Sequence, residues 1–310
     1  MTIATAPEYD RKRLHRKRLQ EAGAGTPAKG GAALGEEQQG ADQPGGARGT
    51  ISVTDAVKQF EGGVLAVDHV SFEATPGEFV SIVGPSGCGK STLLRLIAGL
   101  IPLSAGSISV NGVDVTEPRQ DVALMFQRPT LLPWRTALQN ALLPPKLGHR
   151  LDDAAEHQAY ELLDLVGLRG FEHTYPRHLS GGMQQRVALA RLLMVGVEVL
   201  LLDEPFAAVD QLTRERLNLE LLRVHERMSA TALLVTHNIQ EAILLADRVI
   251  VMTPRPGRVA DVINVPFERP RAQEMVAEPG FQELVLRAYR GLQVPVSSEA
   301  EDLRAGVGDA

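Results

Sequence analysis

The nine residues Gly84-Pro85-Ser86-Gly87-Cys88-Gly89-Lys90-Ser91-Thr92 fit the spacing G-x-x-x-x-G-K-[ST] of a phosphate-binding loop. A short apolar run, residues 79–83, precedes them, and a helical pattern follows over residues 91–100. The motif needs a strand before it and a helix after it, so its surroundings agree with its spacing. We predict a loop that holds a polyphosphate at a helix N-terminus. A glycine-rich turn without a ligand is the alternative.

Each residue type in this loop suits a polyphosphate. Glycines let backbone N–H groups approach phosphate oxygens without a side chain in between, and the helix N-terminus adds favourable partial charge. Lys90 would supply a cation to the β- and γ-oxygens, and the Ser91 hydroxyl would ligate Mg²⁺. The ligand-binding candidates in this stretch are Gly84, Pro85, Ser86, Gly87, Cys88, Gly89, Lys90, Ser91 and Thr92.

A second segment, Val199-Leu200-Leu201-Leu202-Asp203-Glu204-Pro205, ends an apolar run with two carboxylates. Parallel strands of one sheet present their C-terminal ends at the same edge, where ligands of α/β proteins bind. Asp203 and Glu204 are therefore expected beside Lys90. We assign Asp203 to Mg²⁺, directly or through water, and Glu204 to polarising the water that attacks a γ-phosphoryl group. Without the glycine-rich loop, such a segment is often only a strand that meets a turn.

Further apolar runs and helical patterns indicate the class of fold. The runs at residues 231–235 and 248–252 are near-continuous, as buried parallel strands tend to be. Helical patterns over residues 183–194 and 212–227 lie between the predicted strands. Strands that alternate with helices predict right-handed β-α-β crossovers and an α/β core.

The segments outside this core have their own character. Short β-rich runs over residues 51–57 and 65–72 precede the glycine-rich loop, and residues 134–179 show helical periodicity with no comparable strand. The latter segment indicates a helical insertion. Residues 1–49 are rich in Ala, Gly, Gln and Pro after a basic cluster at 11–18, so we expect a disordered N-terminal extension and no secretory signal.

Three more residues are informative only in combination. The run at residues 231–235 leads into Thr236 and His237, which places an imidazole at the same edge of the sheet, although such a histidine is more often structural. Gln127 follows an apolar run and is either a site residue or a surface amide. Phe60 is either ordinary core or an aromatic face for an adenine ring.

The composition excludes several classes of protein. With 44% hydrophobic and 23% charged residues, the 310-residue chain has the balance of a globular protein of one or two domains. No stretch approaches the roughly 18 to 20 consecutive apolar residues that cross a bilayer. One cysteine rules out a disulfide within the chain and fits a reducing compartment. The net charge of −6 does not favour a nucleic-acid partner.

The single cysteine, Cys88, lies in the phosphate-binding loop. A nearby helix N-terminus can lower the pKa of a thiol. We therefore predict that Cys88 is alkylated and that bound nucleotide blocks the reaction. An inert small residue is the alternative.

A third segment, Leu179-Ser180-Gly181-Gly182-Met183-Gln184-Gln185-Arg186, follows the loop and precedes the two carboxylates. Taken together in this order, the three segments closely resemble the signature of ATP-binding cassette (ABC) ATPases, and the resemblance covers roughly residues 51–265. It implies a P-loop NTPase (RecA-like) α/β core with an antiparallel β-subdomain and an inserted α-helical subdomain at about residues 134–180. It implies ATP and Mg²⁺ as ligands. The implied divisions are an extension over residues 1–49, the ATPase domain over 50–268, and a C-terminal helix and tail over 269–310.

The resemblance also implies roles for single residues. Ser180, Gly181 and Gly182 match the surface that binds the γ-phosphate held by the loop of a second subunit, so two nucleotides would be sandwiched in a head-to-tail homodimer. Gln127 matches the Q-loop residue that links the metal and γ-phosphate site to membrane subunits. His237 matches the switch histidine, Asp210 the D-loop aspartate, and Phe60 the adenine-stacking position. Two departures, Ala207 and Val209, leave the fine geometry of the D-loop open.

A smaller set of residues resembles importer ATPases for nitrate, sulfonate and taurine. These are Leu131-Leu132-Pro133-Trp134-Arg135, Tyr175-Pro176 and Pro254-Arg255-Pro256-Gly257-Arg258. Trp134 is expected either to anchor a transmembrane partner or to pack inside the helical insertion. The implied partners are permease subunits and, indirectly, a periplasmic or extracellular solute-binding protein, with the chain on the cytoplasmic side of the inner membrane.

Two other classes of ATP-binding protein fit the sequence less well. An ABC-type ATPase that acts on nucleic acid in repair, chromosome organisation or translation usually has long coiled-coil insertions or two cassettes, and neither feature occurs here. A P-loop kinase would not explain residues 180–186. The cargo is not encoded in this chain, because the family's binding protein and membrane subunits select it.

Overall fold

The computed structural model describes residues 48–228 and 230–293. The predicted N-terminal extension therefore lies outside the described residues except for Arg48 and Gly49, as does the predicted tail after residue 293. The strands are β1 Ile51–Gln59, β2 Leu65–Ala74, β3 Phe79–Val83, β4 Ala105–Val110, β5 Val113–Asp114, β6 Val122–Met125, β7 Val199–Asp203, β8 Thr231–Thr236, β9 Arg248–Met252 and β10 Val259–Asn264. The α-helices are α1 Lys90–Ile97, α2 Ala137–Ala141, α3 Leu143–Leu147, α4 Asp153–Leu165, α5 Gly181–Leu193, α6 Gln211–Met228, α7 Ile239–Leu245 and α8 Pro279–Leu292. Short 3-10 helices cover Pro176–His178 and Gln273–Ala277.

The larger sheet has six strands in the order β10-β9-β3-β8-β7-β6. All of its neighbours are parallel except β10, which runs antiparallel to β9. Strands β3, β7 and β8 are buried along their whole length, which explains their continuous apolar sequences. Val83 lies opposite Thr236, and Asp203 lies opposite Val235, so these three strands end at one edge.

The smaller sheet is antiparallel, with the strand order β2-β1-β4-β5. It packs against one side of α1, and the larger sheet packs against the other side. The core shared by these three elements includes Ile51, Val67, Ile82 and Leu94. A second core lies on the opposite face of the larger sheet and takes side chains from α2, α4, α5, α6, α7 and α8. The architecture is the predicted α/β core with an antiparallel β-subdomain.

The segment predicted to be a helical insertion contains α2, α3, α4 and the 3-10 helix Pro176–His178. Residues 134–179 are all described and form no strand. The Thr136 side chain caps α2 through a reciprocal pair of hydrogen bonds with Gln139, and Asp152 caps α4. Ala159 and Leu163 of α4 are buried against the main core, which fixes the segment on the α/β body.

Several element boundaries differ by one to three residues from the sequence predictions. The helix predicted over residues 91–100 begins at Lys90 and ends at Ile97, because Gly99 adopts a left-handed φ of +69° and stops the helical backbone. The C-terminal helix begins at Pro279 and packs on the core through Phe281 and Val285. Within residues 48–228 and 230–293, no helix combines the length and the apolar character of a membrane span.

Candidate functional site

The glycine-rich loop connects β3 to α1, and its backbone is closely packed. A Cβ atom at Gly84 would lie 2.8 Å from the Cys88 Sγ. Gly89, the residue before α1, has a φ of +113°, and a Cβ atom there would lie 2.4 Å from the Ala66 carbonyl oxygen. Only glycine satisfies both the space and the backbone geometry at residue 89. The loop is therefore held in one shape before any ligand is considered.

Lys90 is almost completely buried within this loop. Its Nζ donates hydrogen bonds to the carbonyl oxygens of Gly84, at 2.7 Å, and Pro85, at 2.9 Å. An ammonium group has three donors, and the third makes only a long contact with the Cys88 Sγ, at 3.9 Å, so it is the donor that another acceptor can take. The loop thus folds around a fixed cation, as a polyphosphate site requires.

Cys88 is buried, and burial raises the pKa of its thiol despite the opposing charge of Lys90. The prediction of a lowered pKa is therefore wrong. Desolvation disfavours the thiolate more strongly than the nearby lysine and the helix N-terminus favour it. The small side chain fills the space under Gly84, which is a packing role.

Ser91 and Asp203 meet at the edge of the larger sheet. The Ser91 Oγ donates to the Asp203 Oδ1 at 2.8 Å, and burial raises the pKa of the Asp203 carboxyl, partly offset by that hydrogen bond. A hydroxyl and a carboxylate are the hard oxygen ligands that Mg²⁺ prefers. The described residues contain no group of three or more His, Cys, Asp or Glu side chains arranged for a metal ion. A Mg²⁺ ion bound here would need further oxygen ligands, and Mg²⁺ usually takes several of them from water and phosphate.

Glu204 lies between two polar side chains. Its carboxylate accepts a hydrogen bond from the Gln127 Nε2 at 3.0 Å, and its other oxygen lies 3.2 Å from the His237 Nδ1. Glu204 has a φ of +47°, a left-handed conformation that costs a non-glycine residue about 1–3 kcal/mol and is typical of active sites. Its N–H donates to the Val235 carbonyl, so the turn after β7 is fixed to β8. The three side chains can orient one water molecule.

Lys90, Ser91, Gln127 and Glu204 border one cavity of about 340 Å³, whereas Asp203 and His237 are joined to it only through their contacts with Ser91 and Glu204. Phe60 lies at its rim with 41% of its surface exposed, and the cavity wall includes the glycine-rich loop, Gln127, Glu204 and Arg255. The volume is that of a pocket for a small ligand. The structure therefore brings Phe60, Lys90, Ser91, Gln127 and Glu204 together, as predicted from the sequence.

The signature residues do not border this cavity. Ser180 and Gly181 are exposed, and the Ser180 Oγ caps α5 by accepting a hydrogen bond from the Met183 N–H at 3.3 Å. Asp210 is also exposed, and hydrogen bonds from Thr213 lower its pKa. A Cβ atom at Gly182 would lie 2.9 Å from the Ala208 carbonyl oxygen, so the start of α5 packs closely against the segment that leads to Asp210. These residues form a second polar surface of the same chain.

Gln185 was not predicted as a site residue, yet it joins the two surfaces. Its side chain is 2% exposed; its Nε2 donates to the Gln127 carbonyl oxygen at 3.1 Å, and its Oε1 accepts from the Ala208 N–H at 2.9 Å. The sequence contained a sign of this role, because Gln185 carries an amide group on the apolar face of α5, in line with Leu189 and Leu192. A polar residue at such a position requires buried partners.

The segment after Gln127 is held in place and presents Trp134 outward. Arg191 donates hydrogen bonds to the carbonyl oxygens of Pro129 and Thr130 at 3.0 Å each, and Asn140 is bonded to both backbone groups of Leu132. Trp134 is 70% exposed, so the alternative that it packs inside the helical insertion is wrong. A fixed backbone and an exposed indole are features of a contact surface.

The parallel sheet with a glycine-rich loop at its edge, the antiparallel sheet and the helical segment define a P-loop ATPase of the cassette type. A family model described as ABC transporter matches residues 67–207. The nitrate import ATP-binding protein NrtD of Synechococcus elongatus is 43% identical over 227 residues, which are 72% of this chain and 83% of that protein. The taurine import ATP-binding protein TauB of Rhizobium johnstonii is 42% identical over 226 residues, 71% of this chain and 86% of that protein.

A solved structure gives the same result. The dimeric ATP-binding cassette MJ0796, in a post-hydrolysis state bound to ADP and Pi, aligns with a TM-score of 0.64 and 30% identity over 70% of this chain and 100% of that chain. This chain belongs to the ATP-binding proteins of ABC transporters, which are ATPases that act with other transporter subunits. The resemblance, the fold class and the ATPase activity predicted from the sequence are confirmed.

Proposed function

We propose that the chain is the ATP-hydrolysing subunit of an ABC importer for a small anionic or sulfonated solute such as nitrate, an alkanesulfonate or taurine. The observation that carries the proposal is the convergence of Lys90, Ser91 and Glu204 on one cavity, with Asp203 hydrogen-bonded to Ser91. The named cargo of the two import relatives supports the choice of solute. Nitrate is an anion and taurine is itself a sulfonate, so both present oxyanion groups.

The glycine-rich loop would hold the triphosphate of ATP. Its backbone N–H groups, from Ser86 to Thr92, would bind phosphate oxygens at the N-terminus of α1, and Lys90 would use its remaining donor on the β- and γ-oxygens. Phe60, exposed at the rim of the cavity, would stack on the adenine ring.

Ser91, Asp203 and Gln127 would hold Mg²⁺. Because the Gln127 Nε2 donates to Glu204, its amide oxygen is the atom that would face the ion. When bound, Mg²⁺ neutralises the charge that develops on the β- and γ-phosphate oxygens. The raised pKa of Asp203 indicates that burial destabilises its negative charge, which a cation at the Ser91 hydroxyl would relieve.

Glu204 would polarise the water that attacks the γ-phosphoryl group in line with the leaving oxygen. Gln127 and His237 contact different oxygens of the same carboxylate, so both side chains fix its orientation. His237 is also exposed enough to donate a hydrogen bond to the γ-phosphate. Positioning of this kind supplies most of the rate enhancement in phosphoryl transfer.

A homodimer would complete the site. Ser180, Gly181 and Gly182 lie outside their own chain's cavity, at an exposed helix N-terminus that can bind an anion, and Asp210 lies on the adjacent segment. In a head-to-tail pair, each chain would offer this surface to the γ-phosphate held by the other chain. The closed pair would then depend on ATP, and hydrolysis would release it.

The surface around Trp134 would contact a transmembrane permease. It follows Gln127 directly in the chain, so movement at the γ-phosphate would reach it through a fixed backbone. The assembly would lie on the cytoplasmic side of the inner membrane and would receive cargo from a periplasmic or extracellular solute-binding protein. Nucleic acid has no part in this scheme.

The test of the catalytic assignment is Glu204→Gln. It preserves size and hydrogen bonding but removes the base, so the ATPase rate should fall about 100- to 1,000-fold while ATP affinity stays near that of the wild type. The matched control is Glu161→Gln on the exposed face of α4, which should hydrolyse ATP normally. Light scattering in ATP should detect a stable dimer of the Glu204→Gln variant. Wild-type turnover, or a monomer only, would contradict the proposal.

The cargo is tested in the whole complex. A multi-helix membrane protein should copurify with the chain, and in proteoliposomes its ATPase rate should rise with a solute-binding protein loaded with nitrate, an alkanesulfonate or taurine. ATPase stimulation by nucleic acid without any membrane partner would overturn the importer assignment.

A further inference from the structure

The loop between β9 and β10, residues 253–258, packs beside the glycine-rich loop and is firmly held. Gly257 donates to the Ala66 carbonyl at 3.1 Å, and its own carbonyl accepts from the Asp68 N–H at 3.0 Å, so it pairs with β2 like a short strand. Within the loop, the Thr253 Oγ1 donates to the Pro256 carbonyl at 3.0 Å. These hydrogen bonds hold the backbone of the loop in place.

The same loop lies directly against the phosphate-binding backbone. A Cβ atom at Gly257 would lie 2.1 Å from the Cys88 carbonyl oxygen, so only glycine permits this approach. Arg258, the next residue, forms an ion pair with Asp68 at 2.6 Å, which anchors the loop on the opposite side. Any side chain carried by the loop therefore has a defined position relative to Cys88 and Gly87.

Arg255 is the side chain that reaches the cavity. Its Nε donates to the Gly87 carbonyl at 3.1 Å, and its Nη2 lies 3.5 Å from the position of a Cβ atom at Gly87. A guanidinium has five N–H donors, so four on Nη1 and Nη2 remain. Across residues 48–228 and 230–293, no carboxylate forms an ion pair with Arg255, whereas Arg258 and Arg248 are both paired. It is a positioned but uncompensated cation.

We infer that Arg255 binds phosphate oxygens of the nucleotide as a second cation beside Lys90. This inference rests on the proposed nucleotide site. Arg255 borders the same cavity, and its partner Gly87 belongs to the segment whose N–H groups would bind the phosphates, so the guanidinium lies beside the phosphate-binding backbone. The planar guanidinium can bind two phosphate oxygens at once, whereas Lys90 acts as a point charge.

The experiment measures nucleotide affinity in four variants of the full chain, each in a Glu204→Gln background that prevents turnover. Arg255→Gln removes the positive charge, and Arg255→Lys keeps the charge but removes the paired donors of the guanidinium. Lys90→Ala gives the loss of nucleotide affinity expected when the phosphate-binding loop itself is damaged. Arg223→Gln, an exposed arginine of α6 outside the cavity, is the matched control. Dissociation constants for MgATP, MgADP and adenosine are measured at low and high salt.

Arg255→Gln should weaken MgATP and MgADP binding about tenfold at low salt and leave adenosine binding unchanged. Arg255→Lys should lose less of this affinity, and Arg223→Gln should bind both nucleotides like the wild type. The salt dependence of ATP binding should become shallower in Arg255→Gln, because one ionic contact is missing. A role in positioning the loop alone would lower affinity without changing the salt dependence.

Two results would overturn the inference and would be distinguishable. In the first, Lys90→Ala weakens MgATP binding, but Arg255→Gln either keeps the wild-type affinity or loses affinity with an unchanged salt dependence. The nucleotide site would then stand, and Arg255 would not be a phosphate ligand. If Lys90→Ala also binds ATP normally, the proposed site itself is wrong.

Discussion

The two halves of the proposed site differ in how far a single chain completes them. Around Lys90, polar groups find partners within the chain: Ser91 contacts Asp203, and Glu204 contacts both Gln127 and His237. Around Ser180, the polar groups face solvent and only cap their own helices. Folding of one chain sets the geometry of the first half, whereas in our proposal the second half gains a function only when a second chain covers it.

The largest effect is expected in the first half, from Lys90→Ala. The variant loses a buried cation that contacts the loop and, in our assignment, the β- and γ-phosphates. ATP should bind about 10- to 100-fold more weakly and ATPase activity should be undetectable. Calorimetry and phosphate release measure the two quantities. Lys146→Ala, an exposed lysine of α3, should match the wild type, and normal turnover by Lys90→Ala would remove the distinction between the halves.

The second half is tested with Ser180→Ala. Loss of the Ser180 hydroxyl should lower the ATPase rate about tenfold, because one hydrogen bond to a charged phosphate is missing. The substitution also removes a helix cap worth about 0.5–2 kcal/mol. Asp152→Ala removes the corresponding cap of α4, which lies away from the site, and should destabilise the chain similarly without slowing hydrolysis.

Mixing variants sharpens the same comparison. Ser180→Ala and Lys90→Ala chains should restore activity when combined, since a mixed pair contains one site with both residues intact. The recovered rate should not exceed that of one site per pair. Absence of any recovery, with mixed dimers demonstrated by a size tag, would argue that each chain works alone.

The α/β core could be predicted from the sequence because its strands are buried on both faces. Strands β3, β7 and β8 are continuous apolar runs, and the polar residues at their ends identified the catalytic edge. Strands β4, β5 and β10 were not predicted, because none of them is buried along its length and none has a continuous apolar run. The exposure of Trp134 could not be predicted from the sequence, because an indole suits a core and a contact surface equally.

The site was predictable where residue types alone specify the chemistry. Lys90 and Asp203 follow from their spacing and context. The environment of Cys88 does not, because whether burial or the adjacent Lys90 dominates its pKa depends on packing that only the folded chain reveals. Arg255 was noted only as part of a family pattern, since its approach to Gly87 depends on pairing between residues about 190 positions apart, Asp68 and Arg258 among them.

The smallest expected effect concerns the link between the halves. Gln185→Met keeps the volume of the buried side chain but leaves the Gln127 carbonyl and the Ala208 N–H unpaired. Stability should fall by about 1–3 kcal/mol, and the kcat for ATP should fall several-fold with little change in KM, since the substitution does not reach the phosphate-binding loop. Denaturant unfolding and steady-state kinetics measure the two effects.

The control for Gln185 is Thr231→Val, which keeps the volume of a buried side chain at the start of β8, the end away from His237, and leaves the Gly77 N–H without its side-chain acceptor. A purely structural role for Gln185 would make the two variants alike: both less stable, both with normal kcat at a temperature where they are folded. A selective loss of kcat in Gln185→Met would show that the orientation of Gln127 toward Glu204 depends on α5, the helix that carries Ser180. The half completed within one chain would then respond to contacts made by the other half, and ATP bound between two chains could regulate its own hydrolysis.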